Sequence, residues 1–274
     1  MDDNKWSRQT RHYRNATVVV RITKRCPIIQ AEVSLDMTTS PKVQEVNTVS
    51  TGSTEIDRRL GGGIPYRTLM LVEGQPASGK STFSQQLLWG ALKSGQDATI
   101  YITEQTVQSF LRQMDSLGLG VTDYFLLNQL RIYPVDISDD DEESQHAFSK
   151  MVEHISEQVS SRVVVVDSLT TLGAQAKNYE IVDFFSRCKS MCDAGKVIIA
   201  TVHADAFDDN VHTQIRSISD AYLRLEVRAS GSQLVKTIQV AKIRGAESAT
   251  GSIIGFEVEP GLGLRIIPLS RAKA

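Results

Sequence analysis

The sequence has little of what marks a secreted, fibrous or membrane protein. Only 3 of its 274 residues are cysteine, 6% are aromatic, and glycine and proline number 18 and 7. These contents exclude a disulfide scaffold and a collagen-like or low-complexity chain. No run approaches the roughly 18–20 apolar residues that cross a bilayer, and the apolar stretch near the N-terminus is too short for a signal peptide. We therefore expect a cytoplasmic protein that meets a membrane only through partners.

An excess of charge of one sign is also absent. The 30 basic and 32 acidic residues leave a net charge of −2, whereas proteins that hold nucleic acid by bulk charge are usually basic. We therefore expect no stable nucleic-acid binding. Residues 1–45 differ from the rest, with 8 basic and 5 acidic residues against 22 and 27 in the remainder. Apart from the alternating stretch Thr17–Ile22, their apolar pattern is weak, so we predict a poorly ordered basic extension before a domain at 46–274.

From residue 46 onward, short apolar runs alternate with stretches of helical periodicity. The predicted strands are 68–74, 97–103, 130–134, 163–167 and 197–202. The predicted helices are 81–93, 107–117, 147–159 and 179–192, and a strand-rich part follows over 221–268. This alternation predicts an α/β fold, with a mostly parallel sheet flanked by helices and a β-rich C-terminal part.

Two clusters of reactive residues have a plain interpretation that we prefer. Cys188 and Cys192 are four residues apart on a predicted helix, where two buried thiols in a reducing compartment are expected more often than half of a metal site. Six acids occur among residues 136–143, which indicates a solvated loop before a helix, with a metal site as the alternative.

A glycine-rich segment between a predicted strand and a predicted helix has the pattern G-x-x-x-x-G-K-[ST]. Its residues are Gly74, Gln75, Pro76, Ala77, Ser78, Gly79, Lys80 and Ser81, with Thr82 next. The glycines let backbone N–H groups turn towards phosphates, and the following helix adds the positive end of its dipole. We expect Lys80 to reach the β and γ phosphates and Ser81 to ligate Mg²⁺. The segment therefore predicts ATP and Mg²⁺ as cofactors.

Polar residues follow the other apolar strands. Asp167 comes after four valines, a pattern typical of the second acidic anchor for Mg²⁺ in such sites. Glu104 follows the strand after the phosphate loop and is our candidate for the base that positions water, with a surface helix-capping residue as the alternative. His203 ends another strand, where it can sense the γ-phosphate or serve as a structural histidine.

The segment leading into the phosphate loop resembles a known family. The stretches that carry the resemblance are 50–52 (STG), 56–57 (ID), 60–65 (LGGGIP) and, near the end, 242–245 (KIRG). From residue 46 onward the chain resembles the KaiC-like branch of RecA-type P-loop ATPases, and residues 51–82 are similar to the FlaH family of archaellum (archaeal flagellum) motor subunits.

The resemblance implies a RecA-like core that forms a homo-oligomeric ring, which we expect to be hexameric, with ATP at the subunit boundaries. It implies that Lys242 and Arg244 reach a neighbour's nucleotide, and the alternation over 240–244 would place both on one face of a strand. The implied partners are the archaellum motor ATPase and the membrane platform protein, and the implied role is nucleotide-dependent regulation or assembly. The pair Glu104-Gln105 departs from the two adjacent glutamates typical of hydrolysing relatives, so we expect slow hydrolysis.

Two other functions are compatible with the motifs. A RecA-type DNA recombination or repair ATPase would place DNA-binding loops at 169–178 and 204–216. The first has one lysine and no arginine, and the second has three aspartates and one arginine, a poor match to DNA phosphates. A KaiC-like ATPase that phosphorylates itself is the other alternative, with Thr103, Ser168, Thr170 and Thr171 as nearby hydroxyls.

Overall fold

The structure, a computed structural model, describes residues 7–13, 16–22, 33–34, 47–135, 147–173, 176–230, 233–246 and 251–268. The chain divides into two units, Met1–Val46 and Asn47–Ala274. In the first unit, strands β1 (Ser7–Tyr13), β2 (Ala16–Ile22) and β3 (Val33–Ser34) form an antiparallel sheet in that order. The alternating stretch 17–22 lies in β2. That residues 1–45 are poorly ordered stays a prediction.

The second unit alternates strands and helices before ending in strands. Its strands are β4 (Thr48–Val49), β5 (Ile64–Pro65), β6 (Leu69–Gly74), β7 (Ala98–Ile102), β8 (Leu130–Pro134), β9 (Val163–Asp167), β10 (Val197–His203), β11 (Ala221–Ser230), β12 (Gln233–Ile243), β13 (Ile253–Glu259) and β14 (Gly263–Ile267). Its helices are α1 (Thr54–Arg59), α2 (Lys80–Lys93), α3 (Val107–Ser116), α4 (Thr122–Leu126), α5 (Ala147–Glu157), α6 (Thr170–Gly173), α7 (Asn178–Asp193) and α8 (Asp209–Ile218). Among the described residues, no helix is long and apolar enough to cross a membrane.

The main sheet has the strand order β14-β13-β12-β11-β6-β10-β9-β7-β8. From β11 to β8 all neighbours are parallel, and β12, β13 and β14 continue the sheet as antiparallel neighbours. The α/β fold class is therefore confirmed. In this order β6, which leads into the phosphate loop, lies between β10 and β11, so functional groups can approach the loop from both sides.

Alternate residues of the parallel strands feed two apolar layers, one on each face of the sheet. Met70, Val72 and Phe83 belong to a layer that includes α2 and α3, whereas Leu69 and Phe184 belong to a layer that includes α5, α7 and α8. Every residue of β6 and β9 is buried. This explains the unbroken apolar sequence of β9, because strands covered by helices on both faces have no solvent side.

The motif before the phosphate loop has a structural role. Thr51 donates to Asp57 Oδ1 from its backbone N (2.8 Å) and its hydroxyl (2.7 Å), and the Thr51 carbonyl accepts from Gln86 Nε2 at 2.8 Å. Ser53 caps α1 by accepting from the Ile56 N–H. These bonds fasten the segment ahead of the strands to α2, the helix that follows the phosphate loop.

Two expectations from the sequence are wrong, and a third concerns residues that the structure does not describe. The stretch 204–216, expected as a loop, is largely α8, whose Val211, His212 and Ile215 are buried. Strand β12 does not alternate through 240–244, because a bulge pairs Tyr222 with Lys242 and Leu223 with Val240. The whole acidic run 136–143 lies outside the described residues, which stop at 135 and resume at 147.

Candidate nucleotide site

The phosphate loop joins the end of β6 to the start of α2. A Cβ on Gly74 would collide with the Leu225 carbonyl oxygen and lie 2.7 Å from Ser78 Oγ, so no larger residue fits there. Gly79 has a φ of +96°, which glycine adopts without strain. It is the residue before α2, a helix of 14 residues. The loop therefore presents backbone N–H groups and a helix N-terminus at one point, an arrangement that binds phosphate.

Lys80 lies within the loop. Its Nζ donates to the carbonyl oxygens of Gly74 (3.0 Å) and Gln75 (2.9 Å). Burial lowers the pKa of the Lys80 ammonium from its ordinary value, and nearby carboxylates oppose that change. Those carboxylates belong to Asp167, Glu104 and Asp205. They favour a charged ammonium, which is the form that attracts phosphate.

Asp167 and two hydroxyls form a compact oxygen cluster below the loop. Asp167 Oδ1 accepts from Ser81 Oγ (3.1 Å) and from Thr201 Oγ1 (2.6 Å). Burial raises the pKa of Asp167, while the bonds from Thr201 and Ser81 lower it. Hydroxyl and carboxylate oxygens are the ligand types that Mg²⁺ takes in phosphate-binding sites. The residues therefore fit the predicted Mg²⁺, which Ser81 and Asp167 would hold.

Glu104 faces the same cleft from the end of β7. Its Oε1 accepts from Ser168 Oγ at 2.7 Å. The Ser168 backbone is held in turn by Thr103, whose Oγ1 accepts from Ser168 N (3.0 Å) and donates to Ser168 O (2.9 Å). Ser168, which follows the neighbouring strand β9, thus orients Glu104. The position suits a base that directs water.

The cleft has a volume of about 330 Å³ and collects most of the residues predicted from the sequence. Its lining comprises Pro76, Ala77, Gly79, Lys80, Ser81, Thr82, Glu104, Asp167, Ser168, His203 and Lys236. Gly74 and Gln75 contribute carbonyl oxygens to Lys80, and Ser78 is buried within the loop. His203 is held through its backbone N–H, which donates to Thr170 Oγ1 at 3.0 Å.

Three residues at or beside the cleft were not found from the sequence. Thr201 interrupts an apolar strand two residues before His203, a pattern that could have indicated it. Lys236 stands in β12, and nothing in the sequence points it to the phosphate loop. Glu73 immediately precedes Gly74 and is fully buried, although a strand-end glutamate would ordinarily be solvated.

Lys242 and Arg244 do not approach the cleft of their own chain. Lys242 pairs with Tyr222, which pairs with Leu71, three residues before the phosphate loop. Lys242 Nζ donates to the carbonyls of Arg216 (3.2 Å) and Ser217 (3.3 Å) at the end of α8, and Arg244 contacts Asp220 at 3.3 Å. Both therefore lie on the α8 side of the sheet, as expected for residues two apart on one face, and the bulge at Ala241 places them on the face opposite to Val240.

The carboxylate of Glu73 forms a buried ionic cluster with α8. It accepts from Arg216 through both Nε (2.9 Å) and a terminal nitrogen, and His212 Nδ1 lies 2.9 Å from Oε1. His212 Nε2 accepts from the Phe207 N–H (3.3 Å), which places a proton on Nδ1, facing Glu73. Burial raises the pKa of Glu73, but hydrogen bonds from His212, Arg216 and Tyr222 more than offset this and lower it to about 2.

Comparison with known proteins agrees with this geometry. A family model described as a KaiC ATPase matches residues 49–271. The archaeal flagellar ATP-binding protein FlaH of Sulfolobus acidocaldarius is 34% identical over 229 residues, covering 82% of this chain and 99% of the relative. This chain belongs to the FlaH branch of the KaiC-like, RecA-type ATPases.

Other members of the family are similar over the same extent. The FlaH of Methanocaldococcus jannaschii is 28% identical over 225 residues, covering 82% of this chain and 97% of the relative. The crystal structure of that flagellar accessory protein matches with a TM-score of 0.73 at 27% identity, covering 82% of this chain and 100% of the other. The FlaH and KaiC-like resemblance stated from residues 50–82 and 242–245 is therefore confirmed.

Proposed function

We propose that this protein is the ATP-binding component of an archaeal flagellar motor, in which it acts as a nucleotide-dependent regulator. One observation carries the proposal: Lys80, Ser81, Asp167 and Glu104 converge on one cleft at the phosphate loop. The names of the FlaH relatives, which describe archaeal flagellar ATP-binding proteins, support the biological setting. The alternative of a DNA repair ATPase is disfavoured, because the segment after His203 carries Asp205, Asp208 and Asp209, which repel DNA phosphates.

The roles of the cleft residues follow from their contacts. Bound MgATP would supply the triphosphate and its cation. The Lys80 ammonium would exchange its bonds to the Gly74 and Gln75 carbonyls for phosphate oxygens, and Ser81 with Asp167 would hold the metal. Glu104 would direct a water. We expect this last step to be slow, because Ser168 engages Glu104 and Gln105 stands where a second carboxylate would be.

A ring of subunits is the second part of the proposal. Among the described residues lining the cleft there is no arginine, and an arginine is the group that often stabilises charge at the γ-phosphate from a neighbouring subunit. Arg244 has 57% of its side chain exposed, on a face away from its own cleft. We propose that Lys242 and Arg244 reach a neighbour's ATP in a hexameric ring. The ATP-bound ring would dock on the motor ATPase and the membrane platform, and so lie at the inner face of the membrane.

Thermal unfolding with and without MgATP tests the ATP site. Ligand at a hundred times its Kd stabilises the folded protein by about 2.7 kcal/mol, so the wild type should melt at a higher temperature with MgATP. Lys80→Ala should lose this shift and keep its circular dichroism spectrum. Lys93→Ala is the matched control, since Lys93 lies at the other end of α2 with its Nζ 4.5 Å from the Trp89 ring centroid. An undiminished shift in Lys80→Ala would overturn the site.

A further inference from the structure

A second lysine, Lys236, enters the phosphate cleft from the side of β6 that faces away from β10. It lines the same cleft as Lys80, but it comes from β12, two strands away from β6. Its Cδ lies 3.9 Å from the position that a Cβ on Gly79 would take, so its side chain passes beside the loop where α2 begins. Lys236 therefore stands next to the N–H groups that the loop offers to phosphate.

Lys236 is also left without an anionic partner in the part of the chain that the structure describes. Among the described residues, none forms an ion pair with it, although two carboxylates lie in a hollow that it also lines. Those carboxylates are engaged elsewhere: Arg265 contacts Glu257 Oε2 at 3.3 Å and Glu259 Oε2 at 3.0 Å. An ammonium with no partner beside a phosphate loop is placed to bind an anion.

The strand order indicates which end of a phosphate chain Lys236 would meet. Asp167 and His203 end β9 and β10, and Glu104 lies just past β7; these three strands all lie on one side of β6. These residues mark the reacting, γ-phosphate end of the cleft. Lys236 approaches from β12 on the other side of β6, so it lies at the opposite end, where the α-phosphate joins the nucleoside.

A second hollow lies beside Lys236, lined by residues of β12, β13 and β14. It has a volume of about 480 Å³, shares Lys236 with the cleft, and is also lined by Leu234, Phe256 and Val258 and by the engaged residues named above. The buried Phe256 ring lies 3.0 Å from the position of a Gly79 Cβ, so it packs against the loop itself. Lys236 thus stands where a charged cleft meets a partly apolar hollow. In a nucleotide, the α-phosphate likewise lies between the outer phosphates and the nucleoside.

We propose that Lys236 is a nucleotide-binding residue whose ammonium contacts the α-phosphate of ATP or ADP. The inference rests on the ATP site proposed above. Because ATP and ADP share the α-phosphate and differ at the γ position, loss of this ammonium should weaken both by a similar factor. The contact is between opposite charges, so it should also weaken as salt screens it.

Isothermal titration of the full chain with MgATP and MgADP tests the proposal. Lys236→Met, which keeps the aliphatic stem, should raise both dissociation constants about tenfold, as expected for a charge-assisted hydrogen bond. Lys236→Arg should recover most of the affinity. The wild-type affinity should fall more steeply with salt than that of Lys236→Met, and Lys93→Met should bind as the wild type does.

Three outcomes would overturn the role of Lys236. They are unchanged affinity in Lys236→Met, weakening of ATP alone, and equal salt dependence in the wild type and the variant. Failure of the underlying ATP site would look different, because Lys80→Ala would then bind MgATP as well as the wild type does. If Lys80→Ala loses binding while Lys236→Met does not, only the assignment of Lys236 is wrong.

Discussion

Replacing Glu73 by glutamine should destabilise the protein in a pH-dependent way. The carboxylate is fully buried and its pKa is lowered from 4.5 to about 2 by His212, Arg216 and Tyr222, against the effect of burial. A shift of this size corresponds to about 3 kcal/mol of folding stability at neutral pH. We expect Glu73→Gln to lose about 2–3 kcal/mol at pH 7, because Arg216, whose side chain is 37% exposed, can turn to water and recover part of the loss.

The sign of the pH dependence follows from the lowered pKa. Above about pH 4.5, Glu73 is ionised in both the folded and the unfolded chain, and its full contribution is present. As the pH falls from 4.5 towards 2, the unfolded chain takes up the proton first, so the contribution is lost at about 1.4 kcal/mol per pH unit. The stability difference between wild type and Glu73→Gln should therefore be constant from pH 7 to 5 and shrink below pH 4.5.

Urea unfolding at pH 7, 5, 4 and 3, with the free energy of unfolding of each protein compared at each pH, measures this difference. Glu257→Gln is the control, since Glu257 pairs with Arg265 on the surface with 54% of its side chain exposed and should change stability by less than about 1 kcal/mol. Equal stabilities of the two variants at pH 7, or a Glu73→Gln deficit that stays constant down to pH 3, would refute the assignment of Glu73 as a buried ionised group.

Three further changes test other parts of the molecule. Glu104→Gln should slow ATP hydrolysis in a phosphate-release assay and leave the Kd for ATP within about twofold, because a water-directing base acts mainly on the transition state; hydrolysis at the wild-type rate would make Glu104 a bystander. Deletion of residues 1–36 should leave the melting temperature and ATP binding unchanged, and a drop of several degrees would contradict this. Arg244→Ala should reduce ATP-dependent assembly in sedimentation velocity, whereas undiminished assembly would exclude its action on a neighbour's nucleotide.

The phosphate side of the site could be predicted because each of its residues lies at or just past the end of a buried strand. In a parallel sheet those strand ends meet at one edge, so Asp167 and Glu104 had to approach the loop that contains Lys80. Lys236 could not be predicted in this way. Its place depends on the antiparallel pairing of β12 with β11 and β13, and long-range register leaves no mark in the local sequence.

Helix α8 was missed for a physical reason that the structure makes plain. Its buried face consists of Val211, His212 and Ile215, and only two of these are apolar. His212 is buried because it contacts Glu73, a residue far away in the sequence. The apolar periodicity of the sequence therefore does not indicate this helix, because one position of its buried face is a histidine that pairs with a distant carboxylate.

The bulge in β12 gives this strand one residue more than its regular pairing with β11 requires. Val240 and Ile243 both pack in the layer with α2, while Lys242 lies on the α8 side, an arrangement that regular alternation from Val240 onward would not allow. The extra residue is Ala241, which is exposed and is skipped in the pairing with β11, where Tyr222 pairs with Lys242 and Leu223 with Val240. Loss of this one residue would restore a regular ladder and keep Val240 and Lys242 on their present faces. A deletion elsewhere in β12 would move the side chains between the deletion and the bulge to the opposite face of the sheet. In relatives with a shorter β12, we therefore expect the missing residue to be the one at Ala241.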